Sequence, residues 1–245
     1  MPYPFANELT KQNMVVELLR YSIIHNLKHI PSALSQLNYL YELFSCDVIK
    51  PYEWNFVIGK PFGSQAYYLI WNWFYNIPKH GLSYGVKTKE IDFVDYSEET
   101  LGNALGVASG IAYNGKRTWC NISDAALQMG PTLEAIQFIG FHKQDIVLTV
   151  DYNNHQLTGS MSSVLGISIQ TMFDYFSNSG WLVYIIDSDE FDGGIVKKII
   201  TQKDGPIVFL IKTKKGDGVL EMEQDPVGWH YKELVSIGEL TIKDR

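Results

Sequence analysis

The sequence predicts one α/β domain, a doubly wound and mostly parallel sheet with helices on both faces, led by a helical segment over residues 1–50. Three observations point there. Short unbroken apolar runs, Ile-Val-Leu-Thr-Val at 146–150 and Ile-Val-Phe-Leu-Ile at 207–211, read as strands buried on both faces. These runs alternate with helical patterns, the order that builds parallel sheets. The 245 residues, 46 % hydrophobic and 19 % charged, suffice for one large core, and no linker or charge run divides them. A single domain over 1–245 is therefore expected.

The elements follow in order. Apolar residues at Met14, Val15, Leu18, Leu19, Tyr21 and Ile23 recur at helical spacing and predict a helix within 13–27. A second helix is expected after Pro31, capped by Ser32 and ending near Ser45. Residues 54–58 read as a short strand and 64–75 as an aromatic-rich buried helix. Ser97 can cap the next helix, with Glu98 and Glu99 at its positive end. The small residues Gly102, Ala104, Gly106, Ala108, Gly110 and Ala112 would let another element pack close to it. Strands are then expected at 117–122, 145–151, 181–187 and 206–212, and helices at 130–140, 168–179 and 190–202.

Composition narrows the function. A formal net charge of -7 disfavours a nucleic-acid backbone binder, which needs a basic stripe. Lys212, Lys214 and Lys215 form the densest basic cluster and read as a solvated strand end. Cys46 and Cys120 stand far apart, outside any metal-ligand spacing, which fits a reduced, cytoplasmic setting. The N-terminus lacks the apolar core of a signal peptide, and no apolar run approaches a membrane span.

Open α/β sheets bind ligands beyond the carboxyl ends of their strands. Ser123-Asp124-Ala125 follows one predicted strand, and Asp151-Tyr152-Asn153-Asn154-His155 closes another. If those strands are neighbours, Asp124 and Asn153 come together. A carboxylate, an amide oxygen and a backbone carbonyl form a sparse set of hard oxygen ligands, which suits Mg2+ when a phosphate completes its shell. The helix opening near Gly130, or the loop at 101–104, could turn backbone N–H groups toward that phosphate. Alternatively, Asp and Asn are ordinary turn formers after strands.

A wider pattern adds to this pair. The stretch 123–130 with Glu134-Ala135 resembles the Gly-Asp-Gly segment of the transketolase family, and 150–159 resembles the Asn-bearing segment that follows it. His29-Ile30-Pro31-Ser32, Leu101-Gly102-Asn103, Gly180-Trp181, Lys215-Gly216-Asp217-Gly218 and Trp229-His230 are similar to further landmarks, in the right order. From Asn13 to about Leu234 the chain thus looks like the family's N-terminal, diphosphate-binding domain. The resemblance implies the thiamine-diphosphate-binding fold, with thiamine diphosphate and Mg2+ (or Ca2+ or Mn2+) as cofactors. Asp124, Asn153 and the backbone carbonyl of His155 would hold the metal. Leu101, Gly102, Ser123, Asp124, Ala125, Asn153 and Leu157 would meet the cofactor, Leu101 and Leu157 against its thiazolium ring. His29 and His230 would face cofactor and substrate, and Glu134 would keep one place in a proton relay between paired sites.

The chain departs from the family at several points. Gly-Asp-Gly becomes Ser123-Asp124-Ala125, a cofactor-facing histidine becomes Phe62, a relay glutamate becomes Met129, and Glu99 enters a phosphate-facing loop. The resemblance stops before the family's pyrimidine-binding domain, so a separate subunit is expected to supply it, in a heterotetramer. Helices 102–112 and 64–75 are candidate contact surfaces. The expected function is the N-terminal subunit of a split transferase that moves a two-carbon ketol or acyl unit. Its donor would be a ketose or 2-keto acid and its acceptor an aldehyde. Two alternatives are a degenerate subunit that only stabilises its partner and an unrelated phosphate-binding α/β domain.

Overall fold

The computed structural model describes residues 8–76, 91–156 and 159–243. Among them, six strands form one parallel sheet: β1 (Asn55–Gly59), β2 (Tyr96–Ser97), β3 (Thr118–Ser123), β4 (Ile146–Tyr152), β5 (Leu182–Asp187) and β6 (Ile207–Lys212). Their order across the sheet is β2-β1-β3-β4-β6-β5. The helices are α1 (Met14–Ile24), α2 (Ile30–Ser45), α3 (Gln65–Tyr75), α4 (Ala104–Ala112), α5 (Gly130–His142), α6 (Met161–Leu165), α7 (Ile169–Asn178), α8 (Gly193–Gln202) and α9 (Leu220–Gln224).

Because successive strand residues point to opposite faces, each central strand feeds two cores. Phe56, Ile58, Trp119, Val147 and Phe209 face one core, with Leu18 of α1, Leu37 of α2, Trp71 of α3 and Val196 of α8. Val57, Cys120, Ile122, Leu148 and Val208 face the other, with Leu105 of α4, Ile136 of α5 and Phe176 of α7. This is the doubly wound sheet expected from the unbroken apolar runs. Strand β1 pairs with the two-residue edge strand β2, which the sequence pattern did not reveal.

Two helix starts differ from expectation. Ser32 lies inside α2, which begins at Ile30 after His29 takes a left-handed turn at φ 59. Pro31 is tolerated in the first turn because its missing N–H would be unpaired there anyway. Ser97 belongs to β2, and α4 begins only at Ala104. The carboxylate of Glu98 caps that helix, accepting the N–H groups of Gly102 (3.2 Å), Asn103 (3.0 Å) and Ala104 (2.7 Å).

One polar cluster is buried in the first core. Asn121 of β3 is fully buried. Its oxygen accepts the hydroxyls of Tyr39 (3.0 Å) and Thr149 (2.8 Å), and its amide N–H groups donate to Gln36 (3.2 Å) and the Tyr67 hydroxyl. Burial pushes the phenol pKa of both tyrosines up, so both stay protonated, Tyr39 as a donor and Tyr67 as an acceptor. Asn121→Leu keeps the branched shape and heavy-atom count and orphans these partners. We expect a loss of at least about 3 kcal/mol, since each unpaired buried polar group costs about 1–3 kcal/mol and several are orphaned together. Urea unfolding measures it, and an unchanged midpoint would refute the account.

Candidate active site

The sheet order fixes where a ligand can sit. From β1 the chain runs outward to β2, and from β3 it runs the opposite way to β4, so the winding reverses between β1 and β3. A cleft of about 320 Å3 lies at the carboxyl ends of these strands. It is lined by Lys60 and Phe62 after β1, Ser123 at the end of β3 and Asp124, Ala125, Gln128 and Met129 after it, and Asn153, His155 and Gln156 after β4. Ser32, Leu101, Lys215, His230 and Tyr231 complete it. The volume suits a cofactor-sized ligand.

Asp124 and Asn153 both line the cleft because β3 and β4 are neighbours in register, with Ser123 opposite Asp151. Asp124 is fully buried, and its oxygens accept the backbone N–H groups of Ala125 (2.8 Å) and Asn154 (2.6 Å). Burial, followed by repulsion from Asp151, lifts its pKa to about 7. Asn153 accepts the His155 backbone N–H at 2.9 Å and donates to Asp151 at 3.2 Å.

Two lysines were missed as site residues. Lys60 is 4 % exposed and donates to the Ser32 carbonyl (2.8 Å), the Ser35 hydroxyl (3.0 Å) and the Asp151 carboxylate. Lys215 is also 4 % exposed, and burial, then repulsion from Lys60, lowers its pKa. It does not belong to a solvated cluster, although Lys212 and Lys214 are exposed. Both follow strand ends, Lys60 after β1 and Lys215 after β6, just as Asp124 and Asn153 follow β3 and β4.

The histidines lie beside this charged floor. His29 and His230 stack edge to face with centroids 4.6 Å apart, and Phe62 lies 4.9 Å from His29. Burial lowers both histidine pKa values to about 4, aided by His230 for His29 and by Lys215 for each. Both rings are therefore neutral at pH 7. His230 lines the cleft, while His29 packs behind it.

Of the other residues singled out in the sequence, Leu101, Ser123, Ala125 and His155 line the cleft. Gly102 adjoins it with φ +120, where an added Cβ would meet that of Met129 at 2.9 Å. The 101–104 loop does not offer its amides to a phosphate as expected, because Glu98 holds those of Gly102, Asn103 and Ala104. Glu99 is exposed. Glu134 is exposed on α5 and does not line the cleft. Leu157 lies outside the described residues. Helix α3 buries Gln65 to Trp71, whereas α4 leaves Gly106 and Gly110 exposed with open space beside them.

The donor set fits a divalent cation and an anion together. Among the described residues, no three His, Cys, Asp or Glu side chains gather as a metal site. A cation here would take one carboxylate plus neutral oxygens, the pattern Mg2+ uses when a phosphate supplies the rest. Ser123 Oγ, Gln156 Nε2 and His230 Nδ1 are buried without a hydrogen-bond partner among the described residues, and all three side chains line the cleft. Such orphaned atoms mark a place for a polar ligand.

No family model matches the chain. It is 26 % identical to transketolase of Rattus norvegicus over 204 residues, covering 77 % of this chain and 32 % of that protein. It is 31 % identical to transketolase-like protein 1 of Macaca fascicularis over 160 residues, covering 61 % of this chain and 26 % of that one. The chain therefore spans about a third or less of the curated relatives it matches. A transketolase structure from Campylobacter jejuni matches with a TM-score of 0.67 at 19 % identity, covering 90 % of this chain and 39 % of that one. A structure of Pichia stipitis transketolase in complex with sedoheptulose 7-phosphate matches with a TM-score of 0.70 at 15 % identity, covering 85 % and 36 %.

Proposed function

We propose that this chain, similar over most of its length to part of the transketolases, is the diphosphate- and metal-binding half of a thiamine-diphosphate-dependent transferase. The observation that carries the reading is Asp124. Its fully buried carboxylate lines the cleft, with hydrogen bonds from two backbone N–H groups and a pKa of about 7. A divalent cation would relieve that charge.

In this reading Asp124, Asn153 Oδ1 and the His155 carbonyl hold the metal, and Lys60 and Lys215 offset the charge of the diphosphate. Bound thiamine diphosphate would supply a carbon nucleophile suited to cleaving and forming C–C bonds next to a carbonyl. The chain's own residues shape its surroundings. Leu101 and Met129 form an apolar wall that excludes water. His230, being neutral, can donate or accept a hydrogen bond at the substrate without adding a fixed charge. The substrates would be a ketose or 2-keto acid donor and an aldehyde acceptor. A separate pyrimidine-binding subunit would complete the site in a heterotetramer. The exposed Phe138 and Phe141 on α5 and the open Gly106 and Gly110 on α4 support such a contact.

Met129 and Phe62, both lining the cleft, favour a second reading in which the subunit holds cofactor without turning over. Calorimetric titration of thiamine diphosphate with and without Mg2+ tests the first claim. We expect saturable, Mg2+-dependent binding that Asp124→Ala abolishes. A folded complex of the chain with a pyrimidine-domain subunit that shows no such binding would overturn both cofactor-binding readings and leave a subunit that only stabilises its partner. Binding without turnover of any ketose or keto acid, in complex with a pyrimidine-domain subunit, would leave the second.

A further inference from the structure

We propose that Asp151 is a positioning residue that decides which atom of Asn153 faces the cation, an inference that rests on the metal site proposed above. Asp151 is the penultimate residue of β4 and is fully buried. Its carboxylate gathers hydrogen bonds from four parts of the chain: Lys60 after β1, Ser35 of α2 (2.7 Å), Thr213 after β6 and Asn153 (3.2 Å).

A primary amide has two ends of nearly equal shape and opposite chemistry, an oxygen that can bind a cation and an NH2 that cannot. Asp151 only accepts in this contact, so it selects the NH2 end. The oxygen is thereby turned the other way, where it meets the His155 N–H. The three other contacts fix the carboxylate, and so the amide's choice is fixed before any ligand arrives. An asparagine at 151 would carry both an acceptor and a donor and would tolerate either orientation.

Lys60 gives Asp151 a second possible role, simple charge balance, and the experiment must separate the two. A carboxylate at 153 would offer oxygen at both ends and need no orienting partner. We therefore propose a double-mutant cycle on Asp151→Asn and Asn153→Asp. Mn2+ would be titrated in saturating thiamine diphosphate, with the EPR signal of the free ion read against a protein-free blank. Circular dichroism would verify folding.

With Asn153 present, Asp151→Asn should weaken Mn2+ binding at least about 10-fold, as loss of an orienting partner typically does. In the Asn153→Asp background the same change should cost less than about 3-fold, a non-additivity expected of directly coupled residues. Equal losses in both backgrounds, or no loss in either, would overturn the proposal. Failure of the unaltered protein to bind Mn2+ would instead sink the metal site itself. If Asp151→Asn does not fold, Thr213→Val loosens the same carboxylate without changing charge. It should weaken Mn2+ several-fold, and an unchanged affinity would count against the inference.

Discussion

Metal-free Asp124→Asn protein is expected to gain stability relative to the unaltered chain as pH rises from about 4 to about 7, and to hold that difference above pH 7. The carboxyl of Asp124 titrates near 7 in the folded chain, against 3.8 ordinarily, chiefly because it is buried. Between those values the folded chain keeps a proton that the unfolded chain releases. Its stability therefore falls as pH rises through this window, by about 1.4 kcal/mol per unit. Over the whole window this comes to about 4 kcal/mol. Asparagine does not titrate, so the difference between the two proteins isolates this residue from His29 and His230. Those histidines lose stability in the opposite direction, as pH falls from 6.5 toward about 4. A constant offset is also expected, because asparagine has one oxygen for the two backbone N–H groups that Asp124 serves. Urea unfolding at a series of pH values measures the difference. A flat profile would mean that Asp124 is not held out of water. Saturating Mg2+ with thiamine diphosphate should flatten the profile of the unaltered chain and leave that of Asp124→Asn unchanged.

Lys60→Met is expected to destabilise the chain by about 3–5 kcal/mol, the range for removing one member of a buried ion pair. Lys60 is 4 % exposed and Asp151 fully buried. Methionine would fill much of the lysine's volume while leaving the carboxylate with three uncharged donors, Ser35, Asn153 and Thr213. The loss should shrink when Asp151→Asn is added, because no uncompensated charge then remains. Denaturant unfolding of the two single variants and the double variant reads this coupling. Strict additivity would show that the pair stabilises nothing through its charge.

The architecture was legible where burial is uniform. The apolar runs at 146–150 and 207–211 became β4 and β6, buried along nearly all their length. Asp124 and Asn153 could be paired from sequence because a parallel sheet aligns the ends of neighbouring strands. Other features hid for physical reasons. Lys60 and Lys215 resemble surface lysines until the strand ends are stacked, and only then do Asp151 and Asp124 make their burial tolerable. The start of α4 is hidden in the sequence because Ser97 has the chemistry of a cap, while the true cap, Glu98, reaches over several residues. Glu134 carried no local sign of its exposure, which depends on how α5 turns its apolar face to the sheet.

Glu98 has a thermodynamic consequence as well. Its carboxylate already secures three successive amides of the loop that carries Leu101. That loop is therefore ordered during folding, and little of its conformational entropy is left to lose when a ligand binds. In the proposed site Leu101 would meet the cofactor as a preorganised wall, which would lower the free-energy cost of association at the point where the apolar contact is made.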